Sequence, residues 1–192
     1  MREATIASVF QPEERLFSRL YDLCLILGGS LLVAVSAQIA VGWPVPFTGQ
    51  TFAVLVVASV LGARRGALAI LAYILEGVCG LPVFSQGRAG LWVLFGPSGG
   101  YIVGFAVAAI VVGTLAEKGW DKWLVSAFAA MVLGNIVIYI FGLGWLSLLM
   151  GPKAAIRAGL YPFVVGDLIK ICLAGGVLPA VWKAIGRPAG RG

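Results

Sequence analysis

The sequence predicts an all-α integral membrane protein in which six transmembrane helices form one compact bundle. Hydrophobic residues make up 60% of the 192 residues and charged residues only 11%, whereas a soluble domain typically carries about 25% charged residues. The mean hydropathy is +1.01. The apolar residues occur in runs separated by short segments rich in glycine, proline or charge, which is the pattern expected of successive membrane spans.

The chain is expected to be a single membrane domain over residues 1–192. A polar leader of residues 1–21 precedes the helix bundle of residues 22–185, and a basic tail of residues 186–192 follows it. The leader has no apolar core long enough for a signal peptide, so we expect the first span to remain in the membrane. The faintly amphipathic leader is expected to lie at the membrane interface.

The predicted spans differ in length, and the breaks between them have clear causes. Two prolines exclude a helix over residues 42–50, and residues 62–66 form a tight basic turn. Residues 81–98 are too apolar for a solvent-exposed loop, so we expect them to form a lid over the bundle. Residues 142–161 are expected to form a loop or a short amphipathic helix. The second and third spans are shorter than the roughly 20 residues that a straight crossing needs. The six spans are predicted at residues 23–41, 51–61, 67–80, 99–116, 123–141 and 163–185.

The distribution of basic residues predicts the orientation. Ten of the fourteen lysines and arginines lie on one side of the bundle, nine of them in the leader, the tail and the loops and the tenth, Lys183, at the end of the sixth span. Three lie on the other side, and Lys170 lies inside a span. The positive-inside rule then places both termini in the cytoplasm, in a multi-pass protein of the cell membrane. The loops with Trp43 and Arg88 would face outward.

Asp167 and Lys170 are the most informative residues, because they place two opposite charges inside the last apolar run. A charge near the centre of a membrane helix costs about 2.5–3.5 kcal/mol, so such residues usually face a protein interior or a wet cavity. Their i, i+3 spacing puts both on one helix face. One interpretation is a structural ion pair that neutralises itself; the other is a ligand site near the outer membrane surface.

Other polar groups are expected to join this pair from the outer half of the bundle. Arginine or lysine can hold a carboxylate, and acidic and amide side chains can pair with a ureido or amide group. Polar groups between aromatic walls are typical of a small-molecule pocket. Each side chain also has a structural alternative, such as cross-linking helices or anchoring the protein at the membrane interface. The candidate ligand contacts are Gln50, Glu76, Arg88, Asn135, Asp167 and Lys170, with Trp43, Phe84 and Tyr139 among the aromatic walls.

The first span carries two small-xxx-small pairs, Ser30 with Ala34 and Ser36 with Ala40. Small residues at this spacing let another helix approach closely. The approaching helix could belong to a partner subunit or to the same bundle, and the sequence does not choose between them.

Several classes of function find no support in the composition. The chain has no histidine, which removes the commonest general base and metal ligand, and it lacks a phosphate-binding loop of the Gly-x-x-x-x-Gly-Lys type. The three cysteines do not have the spacing of a metal or redox motif. The basic residues flank spans rather than forming a patch, so we expect no nucleic acid. No catalytic residue, metal or cofactor is therefore predicted.

Four segments together resemble the BioY family. They are residues 44–51 (PVPFTGQT), 80–85 (GLPVFS), 96–101 (GPSGGY, followed by Gly104 and Phe105) and 162–170 (PFVVGDLIK). They occur in the family's order and at similar spacing, and residues 135–145 also resemble its fifth span. The resemblance covers residues 22–185. Ser98 departs from it, because many relatives have threonine there.

The resemblance implies a six-helix fold and a role as the biotin-specific substrate-binding subunit, or S component, of an energy-coupling-factor (ECF) transporter. It implies capture of biotin from outside and delivery inward with a transmembrane T component and two cytoplasmic ATPases. The family's Asp-x-x-Lys site maps onto Asp167 and Lys170, and its outer-loop arginine onto Arg88. The small-residue face of the first span would dock the T component. A solitary biotin transporter and, more remotely, an intramembrane enzyme are the alternatives.

Overall fold

The computed structural model describes residues 5–42 and 44–186. Nearly all of its regular structure is helical. Short 3-10 turns at Ser85–Gly87 and Trp120–Lys122 interrupt two of the connections. The elements are α1 (Ile6–Val9), α2 (Arg15–Gln38), β1 (Ala40–Val41), β2 (Phe47–Thr48), α3 (Gln50–Leu61), α4 (Ala63–Val78), α5 (Trp92–Phe95), α6 (Gly99–Ala116), α7 (Leu124–Met150), α8 (Pro152–Gly159) and α9 (Val164–Ile185).

Four helices of the described chain, α2, α6, α7 and α9, are long and apolar enough to cross a membrane. The other two predicted spans are present as α3, with 12 residues, and α4, with 16 residues. The tight turn predicted over residues 62–66 is wrong, because α4 already begins at Ala63 and Gly62 alone, with φ +84°, separates the two helices. At 1.5 Å per residue they extend over about 18 and 24 Å, less than the roughly 30 Å hydrocarbon core. An all-α membrane protein is thus confirmed, whereas six full crossings remain a prediction.

The helix ends differ from the predicted spans for identifiable reasons. α2 begins at Arg15, within the segment predicted as a polar leader, because no proline or glycine interrupts residues 13–27. α7 continues past Phe141 to Met150, since Gly142 is accommodated inside the helix, where its missing side chain makes room for the ring of Tyr101. Residues 152–159 form the short helix that was one of the two predicted outcomes.

α6 is the central element of the bundle, and it packs against α3, α4 and α7. Its Gly104 faces the backbone of Ile138 on α7, where an added Cβ would lie 3.1 Å from the Cα atom. The close approach brings α6 and α7 together along most of their length. The core of the bundle is therefore built on one buried helix, and α2 and α9 remain peripheral, with about a quarter of their spanning windows buried.

The proline-containing segment that follows α2 forms a small antiparallel hairpin. Ala40 pairs with Thr48 and Val41 with Phe47, and the backbone N–H of Gly49 donates to the Ile39 carbonyl at 3.2 Å. α3 then begins directly at Gln50. The hairpin holds Phe47 and Thr48 beside the first turn of α9, where Phe47 stacks on Phe163 with ring centroids 6.0 Å apart.

The long loop before α6 is anchored to the bundle rather than projecting from it. Phe84 is fully buried and meets Tyr73 edge-on at 5.5 Å. The Gln38 side chain at the end of α2 accepts from the Gly87 backbone N–H at 3.1 Å, and Gln86 donates to the Gly42 carbonyl at 3.2 Å. These contacts fix the loop over the end of the bundle at which α3 begins. The expected lid function stays a prediction.

Candidate functional site

A cavity lies at the end of the bundle where α3, α6 and α9 begin, and we call it the Asp167 cavity. The hairpin and the long loop close its outer side. Its wall contains both polar and apolar side chains, as a small-molecule site does. The lining residues are Val45, Pro46, Thr48, Gln50, Thr51, Tyr73, Ser85, Ser98, Tyr101, Ile102, Phe105, Ile138, Tyr139, Phe163, Asp167 and Lys170.

The Lys170 ammonium group is fully engaged within the protein. It donates to the Thr48 carbonyl at 2.6 Å, to Thr51 Oγ1 at 3.0 Å and to Asp167 Oδ1 at 3.0 Å. Its Nζ also lies 4.0 Å from the centroid of the Phe47 ring, a cation–π contact. An ammonium group has three donors, and here each has an acceptor. The lysine side chain is thus held in one position on the cavity wall.

Asp167 is held equally firmly and is only 4% exposed. Besides Lys170, it accepts from Thr51 Oγ1 at 3.3 Å and from the Tyr139 hydroxyl at 2.5 Å. A carboxylate offers about four lone-pair sites, so one acceptor position stays open among the residues that the structure describes. The network is electrically neutral as a whole, and every charged group in it is oriented before any ligand arrives.

A second polar group of side chains lines another part of the wall. Gln50 Nε2 donates to the Tyr73 hydroxyl at 2.7 Å, and both residues are buried. The buried Ser98 hydroxyl also lines the cavity, and it has no hydrogen-bond partner in the part of the chain that the structure describes. A buried hydroxyl without a partner is unfavourable by about 1–3 kcal/mol. Ser98 therefore offers a ligand an unused donor and acceptor.

Arg88 stands directly behind the cavity wall. Its guanidinium donates through Nη2 to Ser85 Oγ at 3.0 Å and through Nε to the Ser85 carbonyl at 3.1 Å. Ser85 itself lines the cavity. The half-buried arginine is separated from the space that a ligand would occupy by Ser85, and it positions the Ser85 hydroxyl.

The structure brings four of the predicted contacts, Gln50, Tyr139, Asp167 and Lys170, to the cavity wall. Arg88 and Phe84 lie behind that wall, and neither lines it. The remaining predicted contacts, described next, lie elsewhere in the bundle or outside the described residues.

Glu76 and Asn135 are not part of the cavity wall. Glu76 Oε2 accepts from the Ser30 hydroxyl at 2.6 Å and so links α4 to α2. Asn135 is buried in α7, with no partner for its Oδ1 among the described residues. Trp43 lies outside the residues that the structure describes. The ligand roles of these three residues stay predictions, and for Glu76 the structure shows the helix-linking alternative.

Several cavity residues were not predicted as ligand contacts. Thr48, Thr51 and Ser98 belong to segments that carry the family resemblance, so position within those motifs was the available signal. Ser85 likewise belongs to such a segment, as the last residue of 80–85, whereas Tyr73 gave no such signal. Tyr73 is an ordinary aromatic residue within an amphipathic helix, and only the packing of α4 against α3 brings it to Gln50.

The four residues predicted to form a docking face on the first span do not share one exposed surface in the structure. Ser30 and Ala34 are buried within the chain, and Ser30 is bonded to α4. Ser36 donates to the Val33 carbonyl, and Ala40 lies in β1. At Ser30 and Ala34 the close approach is made by the chain's own bundle, so these two residues are not on a free surface. The outward side of α2 instead carries large apolar residues, among them Leu23, Leu27 and Leu31.

Comparison with known proteins identifies the relatives of the chain. The BioY family model matches residues 9–187. "Biotin transporter BioY" of Thermotoga maritima is 43% identical over 146 residues, which cover 74% of this chain and 85% of the relative. "Biotin transporter BioY2" of Lactococcus lactis subsp. cremoris is 38% identical over 162 residues, covering 81% and 87%.

A solved structure shares the fold. The crystal structure described as the S-component for biotin from an ECF-type ABC transporter superposes with a TM-score of 0.77. The match covers 90% of this chain and 95% of that one, at 22% sequence identity. The arrangement of helices around the Asp167 cavity is therefore the S-component fold.

Proposed function

The chain belongs to the BioY family, and on that premise we propose that it is the biotin-binding S component of an ECF-type vitamin uptake transporter. The observation that carries the proposal is the cavity built on Asp167 and Lys170, which lies within the family-matched residues. The protein would bind biotin without changing it chemically. The relatives from Thermotoga maritima and Lactococcus lactis are themselves named biotin transporters rather than enzymes, so nothing supports the alternative of an intramembrane enzyme.

The two polar groups of the cavity suit the chemistry of biotin. A ureido ring presents two N–H donors and one carbonyl acceptor. One N–H would donate to the open acceptor position of Asp167, and the carbonyl would replace one of the three acceptors that Lys170 has within the protein. The carboxylate at the other end of the ligand needs donors, and Ser98 and Ser85 offer hydroxyls, with the Arg88 charge directly behind Ser85. Phe105, Ile138 and Phe163 would surround the apolar middle of the ligand.

The direction of uptake and the partners follow from the same proposal. We place the chain in the cell membrane with both termini on the cytoplasmic side, because the Asp167 cavity opens at the end of the bundle that carries few lysines and arginines. Biotin would then enter from outside. Release inward would require a transmembrane T component and two cytoplasmic ATPases, because the chain carries no phosphate-binding loop of its own.

Purified protein is expected to bind biotin with a dissociation constant at or below the micromolar range, about −8 kcal/mol. The polar groups of the wall are already oriented, which reduces the ordering needed on binding, and the cavity, which now holds about 50 Å³, would widen to admit the ligand. Isothermal titration calorimetry in detergent measures this directly, with thiamine and riboflavin as control ligands. No heat with biotin, together with binding of another vitamin, would remove biotin and leave the fold assignment intact.

A solitary transporter is the second candidate, because the relatives are named simply as biotin transporters whereas the solved structure is named as one component of a larger transporter. Reconstitution of this chain alone into liposomes separates the two. We expect bound biotin but no accumulation in the lumen without the T component and ATPases. Liposomes that contain only the Lys170→Met variant are the control. Accumulation of more biotin by the wild-type chain alone than by this control would contradict the partner-dependent function.

A further inference from the structure

A second cavity lies at the opposite end of the bundle. α3 begins at Gln50, which lines the Asp167 cavity, and ends at Leu61, which lines the second cavity. A helix of 12 residues separates them by about 18 Å. The second cavity holds about 580 Å³ and lies between the N-terminal halves of α2 and α4. We call it the arginine groove, after Arg19, Arg64 and Arg65 in its wall.

The wall of the arginine groove is held together by side-chain contacts. Arg65 Nη2 lies 2.7 Å from Asp22 Oδ1 and donates to Gln11 Oε1 at 2.8 Å. Gln11 in turn donates to the Ser18 hydroxyl at 2.7 Å. These bonds tie the segment before α2 to the first turns of α2 and α4. The groove is thus formed by the fold itself before anything binds in it.

The positive charges of the groove are more available than its negative ones. Asp22 is paired with Arg65, and Glu117 Oε1 accepts the Ala63 backbone N–H at 3.0 Å. Arg19 and Arg64, by contrast, have no carboxylate within ion-pair distance in residues 5–42 and 44–186, and both are exposed. The groove therefore presents two open guanidinium groups, which favour an anion with several oxygens.

An apolar surface continues from the groove toward the middle of the bundle. Leu23 and Leu68 line it and are 52% and 41% exposed. The next turns of the same two helices carry Leu27 and Leu71, 50% and 46% exposed. Because α2 is long and apolar enough to cross a membrane, its leucines would face acyl chains, and the exposed leucines of α4 extend the same apolar surface. The guanidinium groups suit an anionic head group and the apolar strip beside them suits acyl chains, and a phospholipid carries both.

We propose that the arginine groove binds an anionic phospholipid, with its phosphate between Arg19 and Arg64 and its acyl chains along Leu23 and Leu68. Basic pockets between membrane helices recognise such head groups, and each cation near the membrane surface contributes about 1 kcal/mol. A soluble phosphate would use only the arginines and leave the leucine strip without a role. The proposal stands independently of which ligand occupies the Asp167 cavity.

Native mass spectrometry of the full chain in detergent tests the proposal. Equal amounts of phosphatidylglycerol and phosphatidylcholine with identical acyl chains are added, and the lipid retained by the protein is identified. The wild type is expected to retain phosphatidylglycerol preferentially. R19Q/R64Q should lower that preference about thirtyfold, which is two contacts of about 1 kcal/mol converted at 1.4 kcal/mol per factor of ten. R19K/R64K keeps the charges and should keep most of the preference.

The matched control is K153Q/R157Q on α8, which removes the same charge from exposed positions at the other end of the bundle. It should leave lipid retention unchanged. An unchanged preference in R19Q/R64Q, or an equal loss in the control, would overturn the site. Displacement of the lipid by millimolar glycerol 3-phosphate would also overturn it, since the leucine strip would then contribute nothing. If the double variant does not fold, R64Q alone gives the test.

Discussion

Lys170→Met is expected to weaken biotin binding about ten- to a hundred-fold. A hydrogen bond to a charged group contributes roughly 1.5–3 kcal/mol, and the fixed ammonium group of Lys170 is the only cation among the residues that the structure describes in the cavity wall. Asp167→Asn should weaken binding similarly if the carboxylate accepts a ligand N–H. Biotin affinity and thermal stability must be measured in the same detergent.

The double variant Asp167→Asn/Lys170→Met separates ligand binding from folding. Each single variant leaves one buried charge without its partner, which destabilises a protein by about 3–5 kcal/mol, whereas removing both charges is often neutral. The double variant should therefore be folded and still lack affinity. Wild-type affinity in both single variants would assign the pair to structure alone, and Ser98 and Arg88 would become the residues to test. Lys153→Met, at an exposed position, is the control.

Gly142→Ala is expected to destabilise the protein by about 1–3 kcal/mol, the usual effect of an extra methyl group in a packed core, and to lower biotin affinity as well. An added Cβ at Gly142 would overlap the ring of Tyr101. That ring lines the Asp167 cavity, and its hydroxyl donates to the Gly159 carbonyl at 2.8 Å. Because the tyrosine is held at its far end, it cannot move aside without losing this hydrogen bond.

Gly144→Ala is the matched control, since it lies two positions further along the same helix and an added Cβ there has open space around it. It should stabilise the protein slightly, because alanine is favoured over glycine in a helix by about 1 kcal/mol. Thermal unfolding of both variants, followed by biotin titration, tests the pair. A Gly142→Ala variant as stable as Gly144→Ala would show that the α6–α7 contact is looser than the structure indicates.

The fold was predictable where apolar runs are bounded by strong breaks. Glycine and proline at positions 96–100 and the charges at 117–122 bound α6, and its predicted and observed ends agree. The start of α2 and the end of α7 were missed for opposite reasons. The charges of Arg15 and Arg19 suggested a leader although arginine is a good helix former. Gly142 suggested a loop although tertiary packing requires a glycine inside that helix.

The candidate site could be predicted where a charged side chain lies in an apolar segment, because its burial there is unfavourable in free energy. Asp167 and Lys170 stood out because two charges in an apolar run need an explanation, and Gln50 and Tyr139 joined them in the structure. Glu76 stood out for the same reason, yet it is bonded to Ser30 on α2. The cost of burying a polar group shows that a partner exists, but only the packing of helices shows which partner it is.

The closed network around Asp167 and Lys170 also has an electrical consequence. Its two formal charges cancel within hydrogen-bonding distance, so any movement of the empty cavity along the membrane normal carries no net charge through the transmembrane voltage. Biotin carries one carboxylate, and the occupied cavity would therefore bear one negative charge. Moving one charge across the whole membrane is worth about 2.3 kcal/mol per 100 mV. An inside-negative voltage would then oppose inward passage of the loaded cavity and leave the return of the empty one unaffected.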